Sequence, residues 1–215
     1  MPSSSARYHH GDLRAACLRA AQELLEEDGA AGLSVRAVAR RAGVSPGAPY
    51  RHYADRDALV SAVAAEGYRE LAGYLVSAHP SPSTPDDLAA VAVAYVRFAL
   101  ERPALFRMMF GEPCDGDSSE RVAATTAIAE YVGALVRRAF PSADAEALST
   151  AVWAVVHGLA FLHLDGKLDT STPEVVADRV GSAIHALLAA SEATVKGAEV
   201  AGTAAPQGVP VSTRD

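Results

Sequence analysis

The sequence has few of the features on which catalytic and metal sites depend. It lacks the GxxxxGK[ST] phosphate loop, the GxGxxG dinucleotide loop and the HExxH zinc motif. His157 and His163 are six residues apart, which places them on different faces of a helix and disfavours a shared metal. We therefore predict a protein that is not an enzyme and has no catalytic residue, cofactor or metal site.

Signals for secretion, membranes and disulfides are also scarce. Cys17 and Cys114 are the only cysteines; they lie far apart and have no metal-ligand spacing, so we expect ordinary thiols in a reducing compartment. No apolar run reaches the roughly 18 residues of a membrane span. The first residues are polar and lack the apolar segment of a signal peptide. These observations predict a cytoplasmic protein with no membrane partner.

Basic residues are in the minority, but they are unevenly distributed. The net charge is −7, yet residues 1–56 hold eight arginines against six acidic residues, and the remainder is net −9. A basic patch at one end gives affinity for phosphate, while the acidic remainder is repelled from DNA. The distribution favours nucleic acid as a partner of the N-terminal part only.

The stretch 33–59 predicts a helix-turn-helix that is followed directly by another helix. Ser34 is a good N-cap. Gly43 stands where a helix C-terminus prefers a residue that tolerates positive φ. Ser45 is expected to cap a second helix, over about 46–53, that has Pro46 at its first position. The first helix has one apolar face, formed by Val35, Val38, Ala39 and Ala42. Such a unit places its second helix in the major groove of DNA.

On these residues, the segment from about 8 to 71 resembles the DNA-binding domain of the TetR (tetracycline repressor) family. The matching letters are GLSVRAVARRAGVS, then Tyr50-x-His52-Tyr53, then DRDAL from residue 55. The opening YHHGDLR and a later WxxxHG, at residues 153–158, resemble one subgroup whose ligand domain is named for W, H and G. The resemblance implies an all-α, Ω-shaped homodimer with a DNA-binding and a ligand-binding domain.

One position departs from the family pattern. Pro49 stands where most members have a bulky apolar residue. A helical N–H at this position would donate to the carbonyl of Ser45, and proline has no N–H. We expect a distorted or 3₁₀-like start to the recognition helix, which bears on the register of base contacts.

The predicted DNA contacts divide by chemistry. The small residues at the start of the recognition helix can contact thymine methyl groups, and base-edge hydrogen bonds are expected from Arg36 or Arg51. The resemblance implies that Tyr50, His52 and Arg56 contact phosphate. The alternatives are a core aromatic for Tyr50 and a helix cap for His52. The full predicted set is Arg36, Ser45, Pro46, Gly47, Ala48, Tyr50, Arg51, His52 and Arg56.

The remaining sequence predicts further helices and no strand. Helical segments are expected at about 11–27, 35–42, 46–53, 56–78, 85–101, 103–110, 119–140, 142–165 and 173–190. We predict a DNA-binding domain at 8–55 and a helical ligand-binding and dimerisation domain at 56–190. Residues 191–215 lack an amphipathic pattern and are expected to form a disordered tail.

The helix at 142–165 is apolar nearly all round, so it must be buried. Trp153, His157 and Phe161 recur every four residues on one of its faces. They either pack in the core or dimer interface, or line an effector pocket in which His157 orients a ligand. The predicted pocket set is Tyr95, Phe98, Phe106, Met109, Phe110, Trp153, His157 and Phe161. By resemblance, this helix and the one at 173–190 form the homodimer interface.

Together these patterns predict a DNA-binding transcriptional regulator. We expect a repressor that binds a near-palindromic double-stranded operator as a dimer and is released by a small, partly apolar effector. The alternatives are a small-molecule-binding or interaction protein that has lost specific DNA binding, and an enzyme. Substitution of Tyr50 and His52 would separate the first two, because only DNA binding should collapse.

Overall fold

The computed structural model describes residues 13–111 and 118–203, with side chains described up to residue 190. The start of the predicted first domain, Cys114 and residues 204–215 lie outside this part of the chain. The described residues form eight α-helices and one short 3₁₀ helix, without a strand. The prediction of an all-α fold is confirmed. The helices are α1 (Leu13–Gly32), α2 (Val35–Arg41), α3 (Arg56–Ala78), α4 (Pro85–Glu101), α5 (Pro103–Gly111), α6 (Ser119–Ala139), α7 (Ala145–Leu164) and α8 (Pro173–Thr203).

Local capping chemistry sets many of the helix boundaries. The Asp55 side chain accepts the N–H of Ala58 at the start of α3. At the start of α4, Thr84 and Asp87 form a reciprocal capping box, with Pro85 at the first helical position. Both helices have the bounds predicted from the sequence, because these signals act within one turn.

Three helical elements form the N-terminal unit. α1 is interrupted at Gly29, whose φ of 69° is left-handed, and α2 follows with Ser34 as its N-cap. Gly43 has a φ of 68°, as expected of the residue that turns the chain after α2. The 3₁₀ helix Pro49–Arg51 completes the unit.

The prediction of a recognition helix over 46–53 was wrong. Residues 46–48 form a turn, in which the N–H of Ala48 donates to the carbonyl of Ser45. The only helix is the 3₁₀ helix, capped by Ala48 rather than by a Ser45 side chain. Pro49 lies at its first position, since its missing N–H interrupts the α-helical ladder there. The expected distortion at Pro49 therefore extends over the whole segment.

The C-terminal body is built around α3 and α4. α3 runs out of the N-terminal unit and packs against α6, whereas α4 packs against α7 and α8. α5 contacts both α1 and α3. The buried side chains form one cluster that extends from α1 to α8 without a break.

α7 is the most apolar helix, and it is not fully buried. By length and composition it could cross a membrane, as the core helix of a water-soluble protein also could. Its exposed apolar residues include Trp153, 54% exposed, and Leu162, 44% exposed. The expectation of full burial was therefore wrong for this chain taken alone.

α8 is longer than predicted. Its buried residues repeat every four positions, at Val176, Val180, Ile184 and Leu188. The helix continues to Thr203, beyond the predicted end near residue 190. This stretch contains Ala, Glu and Lys, which favour helix, and no proline.

Candidate DNA interface and ligand cavity

α2 has exposed arginines on one face and buried apolar residues on the other. Val35 and Val38 are buried, while Arg36 and Arg40 on the opposite side are exposed. Arg41 is held by ion pairs to Glu27 and Glu23 of α1. Arg36 is thus available to a DNA partner, whereas Arg41 fastens α2 to α1.

The turn and 3₁₀ helix present a second group of predicted contacts. Ser45, Gly47, Ala48 and Arg51 border one shallow depression of about 580 Å³, which also contacts Leu13, Gly43 and Val44. Pro46 is exposed in the same turn. The structure therefore brings the small residues and one arginine together on a solvent-facing surface, although no regular recognition helix supports them.

Tyr50 and His52 project next to this surface. The Tyr50 side chain is 47% exposed, so it is not the core aromatic considered from the sequence. His52 is exposed and forms the C-cap of the 3₁₀ helix, where its backbone N–H donates to the carbonyl of Pro49. Pro49, directly before Tyr50, is buried. Both side chains are accessible to a phosphate backbone.

Arg56 is engaged within the fold. Its Nε donates to the carbonyl of Leu33 at 3.3 Å, and one Nη donates to the carbonyl of Ala30 at 3.0 Å. The side chain is half-buried. Arg56 therefore ties the start of α3 to the connection between α1 and α2, a role that the sequence argument did not foresee.

Tyr53 fills the base of the N-terminal unit. It is 2% exposed, and its hydroxyl donates to the backbone carbonyl of Arg14 at 3.4 Å. Burial raises the pKa of Tyr53 to about 12. This residue supports the surface from below and does not belong to it.

Residues 43–47 read GVSPG, which matches the GxSxG pattern of a hydrolase nucleophile elbow, a match that the sequence argument missed. That elbow needs a strand-to-helix turn and a histidine base. Ser45 instead lies in the turn after α2, and the depression around it contains no histidine among its described lining residues. The surroundings of Ser45 do not support nucleophilic catalysis.

An apolar cavity of about 390 Å³ lies inside the C-terminal body and is open on one side. α3, α6 and α7 supply most of its wall, and α4 and α5 supply one residue each. The lining residues, all uncharged, are Tyr68, Leu71, Tyr95, Phe110, Thr125, Ile128, Ala129, Val132, Ser149, Thr150 and Trp153. Its size and lining are those of a small-molecule site.

A hydrogen-bonded chain runs along one wall of this cavity. The Tyr95 hydroxyl lies 3.0 Å from Nδ1 of His157. Burial raises the pKa of Tyr95, and a hydrogen bond from the Trp153 indole works against this shift. The indole N–H can only donate, so the Tyr95 oxygen accepts from it, and Nδ1 of His157 is the acceptor that the structure offers to the Tyr95 O–H. His157 is then in the tautomer with its proton on Nε2.

His157 is held neutral in a cluster of aromatic rings. Burial lowers the pKa of His157. Its ring lies 4.5 Å from that of Phe110 and 4.9 Å from that of Phe161, measured between centroids. It does not line the cavity itself, but it stands behind Tyr95 and fixes that hydroxyl.

The predicted pocket set is therefore divided. Tyr95, Phe110 and Trp153 line the cavity, whereas His157 supports it from behind. The other four, Phe98, Phe106, Met109 and Phe161, do not line it; the first three are buried in the core, and Phe161 packs on Phe106 and His157.

The sequence argument missed the contribution of α6. Thr125, Ile128, Ala129 and Val132 line the cavity at helical spacing, and this pattern could have indicated a facing surface. Tyr68 and Leu71 of α3 and the two hydroxyl residues of α7 were also missed. α3 is largely buried, so its sequence pattern gave no separate signal for a cavity.

Ion pairs connect this body to the N-terminal unit. Glu120, in the first turn of α6, binds both Arg14 of α1 and Arg69 of α3. Arg102, which follows α4, binds Glu26 of α1 at 3.0 Å and Glu70 of α3 at 2.9 Å. Both contacts join α1 to helices next to the cavity.

The N-terminal unit has an exposed helix-turn-helix, and the helical body next to it has an internal cavity. This combination is the architecture of a helix-turn-helix regulator. Comparison with family models agrees at both ends of the chain. Residues 18–63 match the model described as bacterial regulatory proteins, tetR family, and residues 88–187 match that of the tetracyclin repressor-like C-terminal domain. Together the two models cover more than half of the chain. The protein belongs to the TetR family of transcriptional regulators.

Individual relatives are similar to this chain in sequence or in fold. An HTH-type transcriptional regulator from Mycobacterium tuberculosis is 36% identical over 95 residues, or 43% of this chain. The match spans 41% of that relative's length. A Rhodococcus sp. RHA1 protein of unknown function is 35% identical, with a TM-score of 0.71 over 83% of this chain and 96% of that one. A tetR family regulator structure from Shewanella sp. PV-4 shares the fold at 21% identity, with a TM-score of 0.61 over 81% of this chain and 94% of that one.

Proposed function

We propose that this protein is a cytoplasmic, non-enzymatic repressor that binds a near-palindromic DNA operator as a homodimer and leaves it when a small, partly apolar molecule fills the cavity. The two units are residues 8–55 for DNA and 56–190 for ligand and dimerisation. The observation that carries the proposal is the pairing of an exposed, arginine-bearing helix-turn-helix with an uncharged cavity in the adjoining body.

The DNA contacts come from the exposed predicted residues. Arg36 and Arg51 read base edges or phosphates, and Tyr50 and His52 bind the phosphate backbone. The contacts with thymine methyl groups come from the turn, at Pro46, Gly47 and Ala48, and Ser45 lies beside them on the DNA-facing surface. Arg56 supports binding by holding the α1–α2 connection in place, since its guanidinium donates to Ala30 and Leu33.

Dimerisation uses α7 and α8. The exposed apolar residues of α7 give a reason to bury this face against a second copy. Gly158 is exposed, and a Cβ there would meet no atom within 4 Å, so a neighbouring helix can approach closely. A two-fold dimer would present its two helix-turn-helix units about 34–36 Å apart, one turn of DNA.

Coupling passes through α3 and α6. Both helices line the cavity, and Glu120 of α6 is ion-paired to Arg14 of α1 and to Arg69 of α3. A ligand that shifts either helix changes the position of α1 and therefore the spacing of the DNA-binding units. Such coupling is typically worth about 1–3 kcal/mol, or roughly 5–150-fold in affinity.

A second candidate function is ligand binding without specific DNA recognition. The 3₁₀ geometry at Pro49 favours it, because a short, irregular segment positions base contacts less rigidly than a helix.

The test is fluorescence anisotropy of the purified protein on DNA flanking its gene and on scrambled DNA, at about 150 mM salt. Tight binding to the flanking DNA alone supports the repressor. In that case, alanine substitution of Tyr50 and His52 abolishes DNA binding and leaves ligand binding intact. Equal, weak binding to both DNAs favours the second function.

A further inference from the structure

The polar groups of the cavity limit which molecules it can hold. No described lining residue is charged, and the nearest charged side chain on the lining face of α6, Arg121, lies one turn before Thr125 without lining the cavity. An ionised ligand group would lose its hydration there without gaining a counter-charge. This favours an uncharged ligand.

Most of the lining hydroxyls are already committed as donors. Tyr68 donates to the carbonyl of Met109 at 2.9 Å, and Thr150 donates to that of Glu146 at 2.9 Å. Thr125 likewise donates to its own helix. The hydrogen atom of Tyr95 is committed to His157, as described above. These hydroxyls have no free proton to offer.

Ser149 is the exception. Its Oγ is buried and has no hydrogen-bond partner in the described part of the chain. A buried hydroxyl without a partner is costly, at roughly 1–3 kcal/mol. A ligand that supplies a partner for this hydroxyl recovers that cost, and one hydroxyl on the ligand could both accept from Ser149 and donate to a neighbouring oxygen.

We infer that the cavity takes an uncharged, mainly apolar molecule with a single hydroxyl-type group, and that Ser149 is the residue that recognises this group. The inference rests on the proposed ligand-responsive function, which leaves the chemistry of the ligand open. Aromatic and aliphatic walls, including Leu71, Phe110, Ile128 and Val132, enclose the rest of the molecule.

The chain provides its own reporter for the test. Trp153 is the only tryptophan and lines the cavity. Its fluorescence can be followed while the full-length protein is titrated, without DNA, with 1-octanol, octanoate, octylammonium or 1-chlorooctane at pH 7.5 and below any micelle concentration. These probes share a flexible chain, are optically silent, and differ in charge and hydrogen bonding.

We expect 1-octanol to bind at least tenfold more tightly than either ion. Ser149→Ala should weaken 1-octanol roughly two- to tenfold, the contribution of one hydrogen bond. The same variant should leave 1-chlorooctane unchanged. Ser182→Ala, which removes an exposed serine of α8, is the matched control and should alter neither.

Three results would overturn the inference: octanoate or octylammonium binding as tightly as 1-octanol, no response to either uncharged probe, or an equal effect of Ser149→Ala on both uncharged probes. Preferred binding of octanoate would point to Arg121 instead. A separate anisotropy titration tests the proposed function. If 1-octanol binds but leaves operator affinity unchanged, the ligand class stands and the induction mechanism fails.

Discussion

Replacing Tyr95 with phenylalanine removes one oxygen atom from the centre of the cavity wall. The ring stays in place, 6% exposed, but Nδ1 of His157 loses its donor at 3.0 Å, and the Trp153 indole loses its acceptor. An unsatisfied buried acceptor costs about 1–3 kcal/mol. We therefore expect Tyr95→Phe to lower the free energy of unfolding by that amount.

Urea and thermal unfolding measure this effect. For a chain of this length, each kcal/mol shifts the midpoint by about 2–4 °C. Tyr74→Phe is the matched control, because the Tyr74 hydroxyl donates to the Glu101 carboxylate at 3.1 Å in an exposed position. It should cost less than about 0.5 kcal/mol.

The reasoning fails if Tyr95→Phe unfolds with the wild-type free energy, or if the two variants lose stability equally. Either result would mean that the chain from Trp153 through Tyr95 to His157 is not maintained in solution. Both variants retain the aromatic ring, so a difference between them reports the hydroxyl alone.

Three further predictions concern other parts of the molecule. Burial is the main cause that lowers the pKa values of His157 and His163. The free energy of unfolding should therefore be highest above about pH 6.5 and should decrease as the pH falls below that value. In urea unfolding from pH 7.5 to 5.0, a variant with asparagine at both positions should show a weaker pH dependence, and a rise in stability on acidification would refute this. Gly43→Ala should cost about 1 kcal/mol in thermal unfolding, because φ is 68° and no steric clash contributes; an unchanged midpoint would show that the turn relaxes freely. Glu120→Gln should leave stability and ligand affinity nearly unchanged, because exposed ion pairs contribute little. It should reduce the ligand-induced loss of DNA affinity that anisotropy measures. An undiminished loss would show that the ion pairs of Glu120 do not transmit the effect of the ligand to α1.

Much of the fold follows from signals that act within one helical turn. Asp55 and Thr84 cap α3 and α4, and both helices begin at the predicted positions, because a side-chain oxygen close to free N–H groups strongly favours a helix start there. The positive φ of Gly166 after α7 belongs to the same class. These features need no knowledge of the tertiary structure.

The cavity could be predicted only in part. Tyr95, Phe110 and Trp153 were found because aromatic residues on an apolar helix are conspicuous. Phe98 and Phe106 have the same character but pack in the core, and only the arrangement of neighbouring helices separates the two roles. The helical spacing of the α6 residues could have indicated a facing surface, but not that this surface packs against α3.

The recognition segment shows a different limit. Ser45 and Pro46 are good helix-start residues, but Pro49 three positions later removes the N–H that would continue the first turn. The local signals conflict, and the structure resolves the conflict with a turn and a 3₁₀ helix. The sequence indicated a disturbance here, but not its extent.

The unbroken hydrophobic core has a practical meaning for building hybrid regulators. A cut at residue 55 would separate Tyr53 from Leu59 and Val63, which belong to the same buried cluster. The cut would also place α1 and α5, which contact each other, in different parts of a hybrid protein, and it would likewise separate Glu26 from its ion-pair partner Arg102. A foreign DNA-reading unit grafted onto this sensor must therefore bring an α1 surface compatible with α5, and such chimeras are best made by exchanging the exposed residues of α2 and the turn.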